Sequence, residues 1–451
     1  MIVWDIDWRS PYEAFAPLAG EPHAHLLHGG DQSDAAEWSI IAAFPDSLVG
    51  VVDGFDQSDP FQQLQECISE RSISMARRSK DLPFISGLVG FMGYEAARHT
   101  EAALDLPLSP FALPDMAFGA YDAAALFSRR TKCAFIAGRN ENACRRLRDA
   151  LGKCLPTPEA SAVFRALTSN FTPLRYEAGV RSVLEDILNG NYYQANIAHQ
   201  ISAFADREID AFGLFRRLAG ASDAFFGALL QLPEGAILSN SPERFFSVSS
   251  SATCERRIVA EPVKGTRPRG ATPALDQALA KELQSDRKDR AENIMIADLM
   301  RNDLSRICNG GSIHEEDICA LLSLANVHHL VSRISGELRP SVSIAEVFEA
   351  LFPCGSVTGA PKIEAMNAIA KIEEIGRGPY CGAIGYVDDR GGAEFSVAIR
   401  TMIVAQDKRS LTIPVGGGIT LRSDPQKEYQ ETITKASAAL EAIGKSPQEL
   451  L

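Results

Sequence analysis

Between Ala236 and Val415 the chain mixes strand-like and helix-like segments, and several of the strands follow one another directly across tight turns. Ala236–Leu238 and Phe245–Val248 flank a turn, and Gly382–Val387, Ala393–Val404 and Ser410–Val415 read as strands. Strands joined by short turns pair antiparallel, because a parallel pair needs a crossover of a dozen or more residues. The expected class is therefore α+β, with large antiparallel sheets and helices packed outside them. Helices are expected at 61–80, Arg139–Lys153, Thr172–Asn189, 273–305, 343–351, 361–372 and 425–443. Regular strand–helix alternation is missing. No Gly-x-Gly-x-x-Gly or Gly-x-x-x-x-Gly-Lys follows a strand, so dinucleotide and P-loop readings fail.

The two prolines of Leu155-Pro156-Thr157-Pro158 disfavour both helix and sheet, which marks a linker between an N-terminal domain, 1–154, and a catalytic domain, 159–451. The net charge is -13, and residues 1–60 alone carry -10, with Arg9 their one base. An acidic total argues against a nucleic-acid binder, since phosphate neutralisation needs clustered Lys and Arg. Apolar and charged contents of 45% and 23% suit a soluble globular protein. No apolar run approaches the ~20 residues of a membrane helix, and Met1–Asp7 has neither the basic nor the apolar region of a secretory signal. The 9 cysteines include no Cys-x-x-Cys pair, and the 8 histidines no His-x-x-x-His. Reduced thiols in a cytoplasmic protein are expected, and any bound metal should have oxygen ligands.

Four segments have residues that chemistry uses. Glu292 lies on a helical face with Met295, Ile296 and Leu299, where an unpaired carboxylate would cost several kcal/mol. It reads either as a salt bridge to a nearby arginine, the commoner case, or as a metal ligand. Glu428, Glu431 and Lys435 lie off the apolar stripe of Tyr429, Ile433, Ala436, Leu440 and Ile443. Glu431 and Lys435 also read as an ordinary surface pair worth ~0.3–0.5 kcal/mol. Lys264, in Glu261-Pro-Val-Lys264-Gly-Thr266, sits in an irregular loop; it is either solvated or, if desolvated beside other cations, a nucleophile. Gly355-Ser-Val-Thr358-Gly359-Ala-Pro-Lys362 and Gly416-Gly417-Gly418 are glycine-rich turns whose N–H groups suit an anion, though tight turns explain them equally.

Taken in order, these segments resemble the chorismate-utilising enzymes, which include anthranilate, aminodeoxychorismate, isochorismate and salicylate synthases. The matching stretches are Gly190-Asn-Tyr-Tyr-Gln194-Ala-Asn196, Ser241-Pro-Glu243-Arg-Phe, Pro262-Val-Lys264-Gly-Thr266, Asp289-Arg-Ala-Glu292-Asn and Val327-His-His329-Leu-Val-Ser332. They continue with Gly355–Lys362, Gly382-Ala-Ile-Gly-Tyr386, Ile399-Arg400-Thr401, Gly416-Gly-Gly-Ile419 and Glu428-Tyr-Gln-Glu431…Lys435, covering roughly residues 175–440. The N-terminal match is thinner, resting mainly on Gly87-Leu-Val-Gly90-Phe-Met-Gly93-Tyr94.

The resemblance implies a β-sandwich core and a Mg2+ held by Glu292, Glu428 and Glu431 that holds the ring carboxylate of chorismate. It makes Glu243 the general acid for departure of the C4 hydroxyl, and Arg400 with the Gly416–Gly418 N–H groups the clamp on the enolpyruvyl carboxylate. Gln194, Thr266, His329, Thr358, Gly359, Tyr386 and Lys435 are implied to line the same site. Isochorismate and salicylate synthases have a lysine base where this chain has Gln194, so the resemblance points to the amine-transferring branch. Within it, anthranilate synthases usually have Ala at the position of Lys264, whereas aminodeoxychorismate synthases have Lys. The nearer resemblance is thus to aminodeoxychorismate synthase component I. A lyase making anthranilate is the alternative, and a non-catalytic chorismate binder the alternative of another class. No cysteine lies in the Gly-x-Cys-x-Gly turn of a class I glutaminase, so the family implies a separate glutaminase subunit. Many relatives bind tryptophan through a Leu-x-Ser segment; Leu26-Leu27-His28-Gly29-Gly30 lacks that serine, which argues against tryptophan binding here.

Overall fold

A computed structural model of the chain describes residues 1–29, 37–51, 59–73, 82–153, 162–222, 224–249, 255–324 and 327–450. The expected linker at 155–158 lies outside them, as do Gly30 and the end, 74–80, of the helix expected over 61–80. Two antiparallel sheets of 12 and 10 strands face each other. In the first, the path runs from Ile2–Ile6 at one edge through His25–His28, Phe226–Leu232, Gly235–Ser241, Thr401–Ala405, Ser410–Thr420 and Gln194–Phe204 to Gly359–Ala360. The second runs from Val263–Pro268 through Val327–Glu337, Arg257–Glu261, Arg244–Val248, Ala393–Val397, Ala383–Asp388, Gly87–Met92 and Met116–Tyr121 to Ser47–Val51. Strands from both sides of residue 155 therefore share both sheets.

Side-chain alternation explains the layering. From the Gly87–Met92 strand, Val89 and Phe91 point into the apolar layer between the sheets, where they join Tyr386, Ile384, Ile237 and Ile403. Leu88 and Met92 point the other way, onto the helices outside the second sheet. Each such side chain, fully buried, contributes about 1.5–3 kcal/mol. Helices cover the outer face of the first sheet too; Thr172 caps one of them, Pro173–Leu188, by accepting from the Arg175 N–H at 3.2 Å, and that helix buries Tyr176, Val180 and Val183. The architecture is a β-sandwich between two helical layers, as the strand pattern requires.

Four local expectations are corrected, the first being the helix expected over 425–443, which is two, Pro425–Lys435 and Ser437–Ala442. The helix expected over 273–305 is two helices, Pro273–Ser285 and Arg287–Ser305, because the Asp286 carboxylate accepts from the N–H groups of Lys288 and Asp289 and starts a new helix. The strand expected over Ala393–Val404 is also two: Ala393–Val397 belongs to the second sheet and Thr401–Ala405 to the first, with Arg400 at φ +53° between them. Gly416–Gly418 is no turn; the strand extends over Ser410–Thr420. The 7 described cysteines are free. Among the described residues no helix is long and apolar enough to cross a membrane.

Candidate active site

Two chain segments cross between the sheets side by side, and each crossing presents a charged residue. One links Gly235–Ser241 of the first sheet to Arg244–Val248 of the second and places Glu243. The other is the 398–400 crossing that places Arg400. They are tied together: the Asn240 N–H donates to the Arg400 carbonyl at 3.1 Å, and the Val397 N–H to the Glu243 carbonyl at 3.1 Å. The Glu243 side chain is 3% exposed. Burial raises its pKa to about 7, against the opposing pull of the Ser356 hydroxyl, the Lys264 ammonium and the Val263 backbone. A carboxyl in that range holds a proton near neutrality and suits a general acid.

Lys264 lies in the Val263–Pro268 strand, not in a loop, at a bulge whose Gly265 has φ +81°. Its Nζ donates to the Ser356 carbonyl at 2.8 Å and lies 3.5 Å from where a Cβ on Gly418 would stand. Across the bulge, Thr266 Oγ1 and His329 Nδ1 are 3.0 Å apart, and burial lowers the His329 pKa to about 4, so the imidazole is neutral.

Gly416 and Gly418 pair with Ala198 and Asn196 of the Gln194–Phe204 strand. Those partners turn their N–H groups to the far side, Asn196 to the Thr358 carbonyl at 2.8 Å and Ala198 to Glu373 Oε1 at 2.8 Å. In an antiparallel ladder these are non-hydrogen-bonded pairs, so Gly416 and Gly418 also turn their N–H groups away from that strand. They face the edge that Thr401–Ala405 leaves uncovered beyond Thr412. Lys435 Nζ donates to the Gly416 carbonyl on that same side, at 3.1 Å. Arg400 donates to the Lys435 carbonyl, and burial pulls its pKa down. Among the described residues no carboxylate forms an ion pair with Arg400, which leaves a part-buried cation suited to an anionic ligand.

Gln194 is fully buried, yet neither atom of its carboxamide has a hydrogen-bond partner; Asn196 Oδ1 and Glu243 Oε1 are likewise unpartnered. Each such atom costs about 1–3 kcal/mol, and their convergence marks a place where a polar ligand completes the bonding. Gln194 Nε2 is 3.0 Å from the Cβ position of Gly418, which places the carboxamide beside Lys264.

Two of the three acids gather around one ammonium. Lys288 Nζ is 3.2 Å from Glu428 Oε1 and 3.9 Å from Glu292 Oε1. Burial works against the Lys288 charge, but Glu428 and Glu292 outweigh it and raise its pKa. Burial raises the pKa of Glu292, whose Oε1 accepts from Thr420 Oγ1 at 3.2 Å. Glu428 is 3% exposed, whereas Glu431 is half-exposed, with Lys435 at 2.8 Å pulling its pKa down. Among the described residues no three acids, histidines or cysteines close into a ready-made metal cluster.

Fifteen of the residues singled out in the sequence thus meet at or beside one site. Thr358 does so through its backbone, its hydroxyl being turned to the Cys354 and Gly355 carbonyls; Gly359 does so because a Cβ there would sit 2.1 Å from the Gln194 carbonyl. Tyr386 stands apart: its ring packs edge-on against Phe84, at 5.3 Å, in the layer between the sheets. Sequence reasoning passed over Ser356 and Lys288. The i→i+4 spacing of Lys288 to Glu292 was the available signal for the latter.

The chorismate binding enzyme family matches residues 9–441. This chain belongs to that family. As a chorismate-utilising enzyme it is 34% identical, over 98% of its length and 97% of the relative's, to "Aminodeoxychorismate synthase component 1" from Salmonella typhimurium. It is 31% identical, over 97% and 93%, to "Anthranilate synthase component 1" from Methanothermobacter thermautotrophicus. The crystal structure of anthranilate synthase component I from Streptococcus pneumoniae superimposes on this chorismate enzyme with a TM-score of 0.78 at 28% identity, covering 91% of this chain and 93% of that one. The menaquinone-specific isochorismate synthase from Escherichia coli shares the fold, at a TM-score of 0.75 and 16% identity over 98% and 94%.

Proposed function

We propose that this chorismate enzyme makes 4-amino-4-deoxychorismate from chorismate and ammonia, as an aminodeoxychorismate synthase component I. The observation that carries the reading is the position of Lys264, its amine beside both the acid Glu243 and the unpartnered Gln194 carboxamide. In its neutral form that amine forms a bond to C2 of chorismate while Glu243 gives its proton to the C4 hydroxyl, which leaves as water. Ammonia then bonds to C4, the C2–N bond breaks, and Lys264 regains its amine. Gln194 cannot take a proton from water, which disfavours hydroxide attack at C2. Arg400 and the Gly416 and Gly418 N–H groups orient the enolpyruvyl carboxylate, with His329 as a neutral wall. Covalent catalysis by Lys264 thereby decides where nitrogen enters as well as how fast.

The acids fit Mg2+: Glu428 is a buried and Glu292 a part-buried oxygen donor, with amines and a hydroxyl as partners, and Glu431 faces water. When bound there, Mg2+ supplies positive charge for the ring carboxylate. Ammonia would come from glutamine through a separate glutaminase subunit, and the product would feed p-aminobenzoate and folate synthesis. The test is Lys264→Ala incubated with chorismate, Mg2+ and ammonium, with products separated by chromatography. Loss of 4-amino-4-deoxychorismate supports the reading, and its formation at the wild-type rate refutes the nucleophile. Anthranilate fluorescence from the wild-type chain would favour the anthranilate synthase alternative, to which the similarity is nearly as extensive.

A further inference from the structure

Lys288 has no role in the chemistry above, yet it is the cation that meets both the buried Glu428 and the part-buried Glu292 of the proposed Mg2+ site. It occupies the first turn of the Arg287–Ser305 helix, where exposed N–H groups make an ammonium unfavourable. Something specific must offset that cost. The carboxylates do: Glu428 is 3% exposed, and a carboxylate so buried cannot stand without a cation. Lys264 also lies near Glu292 and Glu431. A divalent ion entering this group therefore meets three ammonium groups and repels them all, since Lys435 pairs with Glu431 at 2.8 Å while donating to the Gly416 carbonyl at 3.1 Å. Lys264 is tethered to the Ser356 carbonyl at 2.8 Å, whereas the Lys288 side chain is 36% exposed and has water to turn into.

We infer that the Lys288 ammonium is a resident counter-ion of the carboxylate site, which a divalent cation must displace in order to bind. The inference rests on the Mg2+ reading of Glu292, Glu428 and Glu431. It gives the metal-free enzyme a way to hold Glu428 and Glu292 near each other without mutual repulsion. It also sets a threshold: the metal binds only where its gain exceeds the loss of the Lys288 contacts. Binding strength is then tuned by a residue that is not a ligand.

The experiment uses the full chain without chorismate and Mn2+ as the probe, with free Mn2+ read by electron paramagnetic resonance. Wild type is compared with Lys288→Met and with Lys281→Met, an exposed lysine on the preceding helix that reports the general effect of losing one charge. The expected result is Mn2+ binding tighter by about fivefold or more in Lys288→Met, with Lys281→Met near wild type. A second measurement needs no variant. Trace acetylation followed by peptide mass spectrometry compares the reactivity of Lys288 with that of Lys281 in the wild-type chain. Saturating Mn2+ should raise the relative reactivity of Lys288 severalfold as its amine leaves the carboxylates. Unchanged or weaker Mn2+ binding by Lys288→Met, or unchanged Lys288 reactivity at saturating Mn2+, overturns the inference while leaving the metal site intact. A wild-type chain that binds no Mn2+ and turns over chorismate without divalent ions overturns the metal reading itself, and the counter-ion role with it.

Discussion

Replacing Glu243 by Gln isolates what it costs the fold to keep an acid buried here. The carboxyl is raised from 4.5 to about 7, chiefly by burial. At 1.36 kcal/mol per pH unit, that penalises the ionised form by about 3 kcal/mol. The folded pKa lies above the unfolded one, so folding takes up a proton. The associated stability is whole below pH 4.5 and is lost as pH rises to about 7. Glutamine keeps the shape and never ionises. Urea unfolding of both metal-free proteins from pH 4.5 to 8.5 should therefore show Glu243→Gln gaining on wild type by up to about 3 kcal/mol, with most of the gain between pH 5 and 7. Differences between the two curves cancel the other titrating groups. A gap that stays constant across this range would refute a buried, proton-holding Glu243. Activity must move the other way: kcat/KM of the wild type should decline above pH 7, and the variant should lose on the order of 100-fold or more.

Gly418→Ala places a methyl 3.0 Å from Gln194 Nε2 and 3.5 Å from Lys264 Nζ, so it should fold with near-normal Tm but raise the KM for chorismate by about tenfold. Gly385→Ala, whose methyl would meet the Glu394 carbonyl at 1.9 Å, should instead lower Tm sharply or abolish soluble expression. Arg377→Met strips the buried Glu373 of its ion pair, 2.6 Å long, and releases the Asn196 and Val357 carbonyls. Chemical denaturation should report a loss of about 3–5 kcal/mol. Arg400→Ala should raise the KM for chorismate while leaving Tm close to wild type, since its described partner is a single carbonyl; a large fall in Tm would make Arg400 structural instead.

Much of the helical layer is legible because caps are local. Thr172 before Pro173, Thr272 before Pro273, Ser343 with Glu346 and Asp424 before Pro425 each mark a helix start that the structure keeps. Asp286 is the same kind of signal, hidden inside a segment whose apolar spacing continues on both sides. The sheet crossings are not legible. Nothing in the composition of Val397-Ala-Ile-Arg400-Thr marks a change of sheet, since the break is a positive φ at an arginine and not at a glycine. Pairings such as Gly87–Met92 with Ala383–Asp388 join distant segments, and periodicity reports only which face is buried, not which strand lies beside it. At the site, Glu243 and Lys264 were readable only through ordered motifs; their burial and mutual approach are products of the crossing. Gly416–Gly418 suggested a turn because glycine is rare within strands, and here it leaves room beside Glu428 and Lys435 at Gly417 and beside Gln194 and Lys264 at Gly418.

The interleaving of early and late strands has a consequence for synthesis on the ribosome. Gly87–Met92 gains one neighbour, Met116–Tyr121, almost at once, but its other edge waits for Ala383–Asp388, nearly 300 residues later. His25–His28 likewise waits for Phe226–Leu232. At about 5–20 residues per second the first of these edges stays open for roughly 15–60 s. Throughout that interval the nascent chain carries a half-paired, fully apolar strand, whose open edge is a template for joining another copy of itself. Its yield in a cell should depend less on the stability of the finished sandwich than on translation speed and on whatever shields that edge while it waits.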